Sequence, residues 1–235
     1  MNMTINGVSL VEQYGATLLS ADYGYAKVTN YNDWLRGAKQ PLYFGQDITY
    51  TTARYKILVE GKNLAETDRN SSDIVSAMSK AIVKVEGSDW SLDGHVTNVD
   101  DSNRISPLAR EIEVSMEGVK IADRETLIEV LSFGKTSEIE VKGNQKVPCR
   151  IEITPDMGYA EMVITLNDDQ FKIKTIGSTA KLLVIDSEKG IITLDDENKI
   201  EDYLSWEMPY LKGGTNKLSI NGAPTVKISY NGRWM

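Results

Sequence analysis

The 235-residue chain has one cysteine, one histidine, three phenylalanines and six prolines. A single thiol, Cys149, excludes an internal disulfide framework, and with one histidine beside it the ligand set for a structural zinc site is missing. That histidine, His95, would have to stand beside a nucleophile to build a catalytic triad, and the sequence contains no Gly-x-Ser-x-Gly elbow. A glycine-rich phosphate cradle is also lacking. No run approaches the ~18 apolar residues of a helical membrane span. Formal net charge is −8, distributed as −5 over residues 1–136 and −3 over 137–235, with no basic cluster in either half. Sequence-specific nucleic-acid binding is therefore not expected, since nothing is positioned to neutralise phosphates. The opening Met1-Asn2-Met3-Thr4-Ile5-Asn6-Gly7 has neither the basic nor the apolar region of a signal peptide, which points to synthesis and assembly in a cytoplasm.

What the chain has is β-sequence. At 41% hydrophobic and 26% charged it reads as a soluble globular protein, long enough for one large β-domain or two small ones. Asn6-Gly7 between two short apolar segments is a tight-hairpin signal. Gly15 breaks the chain after residues 11–14, and residues 16–20 continue extended. Residues 22–60 are rich in Tyr, Thr and Val, with 50–60 the longest strand candidate. Residues 33–40 interrupt that pattern with charge and glycine and read as a loop or arm tip. Trp34 within them reads as a ring folded onto its own domain, or alternatively as an interface anchor. Short strands are expected at 84–86, 88–92 and 94–98, and a polar turn at 99–103. A strand with one wet face follows over 111–117, ended by Gly118, and a further strand covers 126–133.

One helix is expected, over about residues 72–83. Ser71 or Ser72 caps it, Asp73 suits its N-terminal end, and Lys80 and Lys84 suit the C-terminal end. Ile74, Val75, Met78, Ala81 and Ile82 make a continuous apolar stripe that packs on the sheet of the first domain. Gly134-Lys135-Thr136 is the first clear break and Gly143-Asn144-Gln145-Lys146-Val147-Pro148 the crossing, giving domains 1–136 and 137–235. In the second, strands are expected at 150–154, 160–166 and 171–176. Asn167-Asp168-Asp169-Gln170 and Asp186-Ser187-Glu188-Lys189-Gly190 are hairpin turns. Leu218 and Ile220, then Val226, Ile228 and Tyr230, alternate with polar neighbours. Trp234, near the last residue, reads as part of a packed closing strand. The fold class is mainly β: a β-domain with one packed helix, then a small antiparallel sandwich.

Candidates for chemistry resolve into structural readings. Cys149 reads as a buried or indifferent thiol and His95 as an ordinary strand histidine. Asp100-Asp101, Asp168-Asp169 and Asp195-Asp196 could supply paired carboxylates for glycan hydrolysis, but all lie in turn-like stretches and read as solvated punctuation. Calcium at Asp195-Asp196-Glu197-Asn198 lacks an accompanying Asp-x-Asn-x-Asp-Gly loop. Tyr203, Trp206, Tyr210 and Tyr230 could stack on sugar rings. No catalytic, cofactor-binding or metal-binding residue is assigned, and the chain is read as a non-enzyme.

Three stretches carry a resemblance. Pro209-x-Leu211-x-x-Gly214-x-Asn216-x-Leu218-x-Ile220, followed by a valine-bearing strand ending in Arg233-Trp234, resembles the C-terminal sandwich of siphophage distal tail proteins. Ile5-Asn6-Gly7-Val8-Ser9-Leu10 with Tyr14-Gly15-Ala16-x-Leu18-Leu19 resembles their opening, and Lys142-Gly143-Asn144-Gln145 before Pro148 is similar to their entry into the second domain. The resemblance implies a ring-forming N-terminal β-domain, a galectin-like C-terminal sandwich and a hub at the virion tail tip. It implies a homo-oligomeric ring, a hexamer, between the tail tube protein and the tail-associated tip protein, with receptor-binding or baseplate proteins as further neighbours and no cofactor. An acidic lumen would repel passing DNA. With about a hundred residues in the second domain, an arm or added sugar-binding module has no room, so a plain connector is expected. The rival readings are a carbohydrate-binding β-sandwich for host-surface recognition and a tail-tube or baseplate-wedge protein of a related machine.

Overall fold

The computed structural model describes residues 2–33, 36, 39–40, 42–130, 136–176, 181–222 and 224–235. The chain forms two compact units, Met1–Ile121 with Met235, and Ala122–Trp234. The expected division at 136/137 is thus not where the units part: they part inside the long strand Ala109–Val130. Trp34 and the Gly134-Lys135 break lie outside the described residues, as does the end of the strand expected at 126–133, of which 126–130 is strand.

The first unit is an antiparallel sheet with a helix on it. Asn6 and Gly7 take positive φ (52° and 81°) and close the hairpin that pairs Ile5 with Val8, as a two-residue loop must to match strand twist. Ser9 then caps a short helix, Leu10–Tyr14, which Gly15 ends in the left-handed conformation (φ 57°). The sheet continues through Lys80–Val85, Ser91–Ser106, Ala109–Val130, Thr51–Glu60 and Ala16–Tyr23. Alternation fixes its inner face: Ala53, Tyr55, Ile57 and Val59 on one strand, and Ile112, Val114 and Met116 on the next, are buried in one core. A separate two-stranded sheet, Val28–Asp33 with Leu42–Ile48, leaves every residue of its first strand exposed.

The principal helix is not the one expected over 72–83, and with the short helix Leu10–Tyr14 it is one of two α-helices among the described residues. It runs Leu64–Met78. Its start lies at Asn63, whose Oδ1 accepts the Glu66 amide at 3.0 Å, while Glu66 Oε2 reaches back to accept the Lys62 amide at 2.8 Å. This near-reciprocal cap leaves Ser71 inside the helix, buried, its hydroxyl donating to the Thr67 carbonyl at 2.8 Å. Ile74 and Met78 do face the core. Ala81 and Val83 face it too, but from a strand in which Lys80 and Ile82 point outwards. The apolar stripe belongs to two elements, because Ile82, Val83 and Val85 are β-branched and residues 80–85 alternate with period two.

Two other readings are revised by pairing. Residues 99–103 do not turn; they belong to Ser91–Ser106, whose hairpin with the following strand closes around Pro107-Leu108 and absorbs register shifts between Val96 and Asn98 and between Asp100 and Asn103. Gly118 does not end its strand. It sits opposite Gly94, and a Cβ on either would meet the partner strand's backbone at under 2.5 Å. Two glycines face each other because nothing larger fits between these strands.

The second unit is two sheets around one core. One contains Glu197–Asn198, Ile191–Leu194, Leu183–Asp186, Val147–Thr154 and Thr225–Trp234, in that order, the last bonded to Ala109–Val130. The other contains Ser137–Val141, Gly214–Ile220, Tyr159–Leu166 and Asp169–Ile176. Ile151, Ile185 and Ile228 from the first meet Ile139, Ile164, Phe171 and Leu218 from the second, the aligned sandwich that alternation predicts. Both expected hairpin turns are present, at 167–168 and 187–190.

Replacing Asn63 by Ala should lower the unfolding free energy of the first unit by about 1 kcal/mol. Ser72→Ala should change it by less than about 0.5 kcal/mol. Denaturant titration of the two variants checks where the helix begins.

Candidate functional site: the C-terminal clasp and exposed aromatic surfaces

The stretch from Pro209 onwards is held by backbone approach rather than by reactive groups. The Pro209 carbonyl accepts the Ser187 hydroxyl at 2.6 Å and the Cys149 thiol at 3.4 Å. Leu211, fully buried, pairs with Val147. Beyond it the chain turns through Gly213 and Gly214, and Asn216 sits at the centre of that turn, buried to 0% exposure. Its Oδ1 accepts the Lys212 amide at 2.8 Å and the Asn167 Nδ2 at 3.1 Å; its Nδ2 donates to the carbonyls of Lys212 at 2.7 Å and Gly214 at 2.9 Å. Two donors and two acceptors are all an asparagine has, and all are used.

Three glycines let the entry, the turn and the closing strand meet. A Cβ at Gly143 (φ 103°) would lie 2.0 Å from the Arg233 carbonyl oxygen, one at Gly213 2.4 Å from that of Gly143, and one at Gly232 2.2 Å from that of Lys142. In that space the amides of Asn144 and Gln145 both donate to the Arg233 carbonyl, at 2.9 and 3.2 Å. Arg233 in turn pairs with Glu188 at 3.2 Å. In the sequence Gly214, Asn216 and Arg233 belong to the C-terminal motif and Gly143 to the separate step at the domain entry. That they form one clasp was not readable, because Gly232 carried no turn signal and Asn216 resembled any polar turn residue.

The residues weighed for chemistry stand apart. His95 is on Ser91–Ser106 in the first unit, edge-on to Tyr50 with ring centroids 6.0 Å apart. Cys149 belongs to the second unit, and burial pushes its thiol up to about 12, eased by the Ser187 hydrogen bond and reinforced by the Asp186 charge. A thiol held protonated is a poor nucleophile. Asp100 is in a strand and accepts from Asn98. Asp195 and Asp196 both take positive φ (48° and 65°) in a tight turn, and Asp195 Oδ1 accepts the Leu182 amide at 2.8 Å. Among the described residues no group of three or more His, Cys, Asp or Glu is arranged to hold a metal ion. No helix of the described residues is long and apolar enough to cross a membrane.

The four aromatics considered for sugar stacking separate in the same way. Tyr230 is buried, its hydroxyl 2.9 Å from the Glu140 carbonyl oxygen and 3.0 Å from Glu125 Oε2. Tyr203 packs partly against the core, Tyr210 is half-exposed, and Trp206 is fully exposed. In the first unit Tyr25, Val28, Tyr31 and Phe44, on and beside the small two-stranded sheet, are also exposed.

The clasp and sandwich coincide with a known domain. Residues 142–234 match the family model described as the siphovirus-type tail component, C-terminal domain. Over these residues the chain is similar to that tail-component domain. The whole fold is similar to the crystal structure of the Dit protein of phage SPP1, described as a paradigm of hub adsorption apparatus in phages infecting Gram-positive hosts; the TM-score is 0.77 at 9% identity, over 100% of this chain and 99% of that one. It is similar also to chains in the phage P2 baseplate in its activated conformation, with Ca (TM-score 0.53, 11% identity, 94% of this chain and 92% of that one) and with Sr (0.54, 10%, 97% and 96%). Curated protein sequences give no match. The distal tail resemblance and the mainly-β fold class read from the sequence are borne out.

Asn216→Ala should destabilise the second unit by about 1–2 kcal/mol, since it leaves the Lys212 amide and the part-buried carbonyls of Lys212 and Gly214 without their partner. Cys149 should resist a thiol reagent at about pH 8 in the folded chain and react once denaturant is added. Because the folded thiol titrates near 12 and the unfolded one near 9.0, its contribution to stability is complete below 9 and is lost as pH rises towards 12. An alkaline denaturant series reads that loss.

Proposed function

We propose that the chain is a distal tail protein, a structural hub of a siphovirus-type tail that acts by shape and self-association and catalyses nothing. The observation that carries this reading is the correspondence of both units with a solved tail hub, end to end, together with the tail-component domain at residues 142–234. In this reading the first units assemble into a homomeric ring of six that continues the tail tube. The second units serve as connectors towards the tip, with tail tube protein and tail-associated tip protein as neighbours and baseplate or receptor-binding proteins beyond them. The site of action is the virion tail tip, after assembly in the host cytoplasm.

The physics of the first unit supports a ring. The small sheet Val28–Asp33 with Leu42–Ile48 exposes Val28, Tyr31 and Phe44, more apolar surface than a lone hairpin keeps in water without a partner. Sheet edges also need cover, and closure of identical subunits supplies it on both sides at once. An obligate contact of this kind should bury more than roughly 2,000 Å².

Sedimentation of the purified chain over a range of concentrations tests the reading. One discrete closed oligomer is expected, with Val28→Asp plus Phe44→Asp shifting the protein to the monomer. A chain that stays monomeric at every concentration, with and without tail tube protein, would overturn it.

A further inference from the structure

A fully exposed tryptophan on a fixed backbone needs a physical reason. Residues 199–209 run as a strap along the outer strand Asp169–Ile176 of the second unit. Tyr203 bridges to Ile173, the Leu204 amide donates to the Lys172 carbonyl at 2.9 Å, and the Ser205 hydroxyl accepts the Lys172 amide at 3.2 Å while donating to the Gln170 carbonyl at 3.3 Å. The Tyr203 hydroxyl donates to the Glu207 carbonyl, closing the strap across Trp206. The strap therefore covers a strand edge that would otherwise invite another chain. It also holds position 206 from both sides, so the indole of Trp206 stands in solvent on ordered backbone. Ile200, Leu204 and Tyr210 on the same stretch are each about 40% exposed, which enlarges the apolar surface around it.

Charge within the strap and the turn before it is mainly acidic, while the strand it covers carries Lys172 and Lys174, and Lys181 lies 4.0 Å from Asp195. Residues 195–207 contain Asp195, Asp196, Glu197, Glu201, Asp202 and Glu207 against one cation, Lys199, and that lysine is already paired with Asp202 at 2.7 Å. A rigid aromatic anchor inside an acidic rim is complementary to an apolar pocket inside a basic rim. The anchor gives affinity on desolvation, and the rim gives orientation and rate. Because the strap is ordered before contact, little entropy is left to lose on binding. Anionic polysaccharide meets the same rim as repulsion. Sugar stacking also finds no second ring in Tyr230, which is buried.

Resting on the hub reading, we propose that Trp206 on the strap is the anchor by which the second unit docks another protein of the tail tip, one that presents a basic surface around an apolar pocket. The test measures binding of the full-length chain to each purified protein component of the tail tip and, separately, to host cell-wall polysaccharide. One protein component should bind. Trp206→Ala should weaken that binding by about tenfold or more, and Glu201→Lys with Glu207→Lys should also weaken it. Raising salt from ~50 to ~300 mM should weaken the wild-type complex severalfold. Trp206→Ala removes no buried contact, so it should form the same ring as the wild type. Sedimentation of that variant separates failure of this proposal from failure of the hub reading. Unchanged binding of Trp206→Ala to every component, binding of the wild-type chain to none of them, or a Trp206-dependent interaction with polysaccharide alone would each overturn the proposal.

Discussion

A buried amide with every hydrogen bond made sets the geometry of the C-terminal unit. Asn216 ties the turn at 212–214 to the hairpin at 167, and the turn so fixed brings Gly213 against Gly143. Gly143 in turn admits the Arg233 carbonyl, which takes two amides of the domain entry. The approaches at Gly143, Gly213 and Gly232 are backbone against backbone, at separations where any side chain would collide. The clasp is therefore sensitive to single-atom additions yet contains no group that could react. Low dielectric raises the stakes: a network satisfied throughout specifies one arrangement, and one left half-made is worse than none.

From that constraint the functional account follows in order. A sandwich locked at entry, turn and closing strand is a fixed platform. On its outer edge the strap at 199–209 presents acidic charge and an exposed indole without losing order. In the first unit Val28, Tyr31 and Phe44 are left in water on a two-stranded sheet of its own, for which self-association is the proposed remedy. Among the described residues the groups weighed for chemistry, His95 and Cys149, stand in different units. His95 is exposed and stands edge-on to Tyr50, and Cys149 is held protonated by its burial.

Much of this was legible in the residues, for reasons that differ by element. Asn6-Gly7 and the turns at 167–168 and 187–190 were readable because hairpin loops demand specific residue types at specific positions. The strands of the sandwich were readable because alternation survives whatever packs on it. The helix begins eight residues before the expected start and ends five before the expected end. Ile74 and Met78 of the helix and Ala81 and Ile82 of the next strand fall by chance on one helical stripe, and the true cap at Asn63 was eclipsed by two serines. Gly118 reads in the sequence as the end of its strand; only the partner strand reveals Gly94 opposite. The unit boundary inside Ala109–Val130 carries no local signal at all, since it is set by which neighbours each half of one strand finds. Of the clasp, the motif was visible and its closure was not, because contact between residues 143, 213 and 232 is a property of topology.

Native-state hydrogen exchange of two amides bears most directly on the clasp. The Asn144 amide donates to the Arg233 carbonyl, and the Lys212 amide to the Asn216 side chain. Both lie in stretches that composition alone marks as loop. If the clasp fixes the unit, these amides exchange only with global opening of the sandwich, as slowly as those in the central strand Val147–Thr154. Exchange at the rate of an exposed turn would mean the glycines and Asn216 merely meet in passing, and the platform on which the rest of the account stands would be absent.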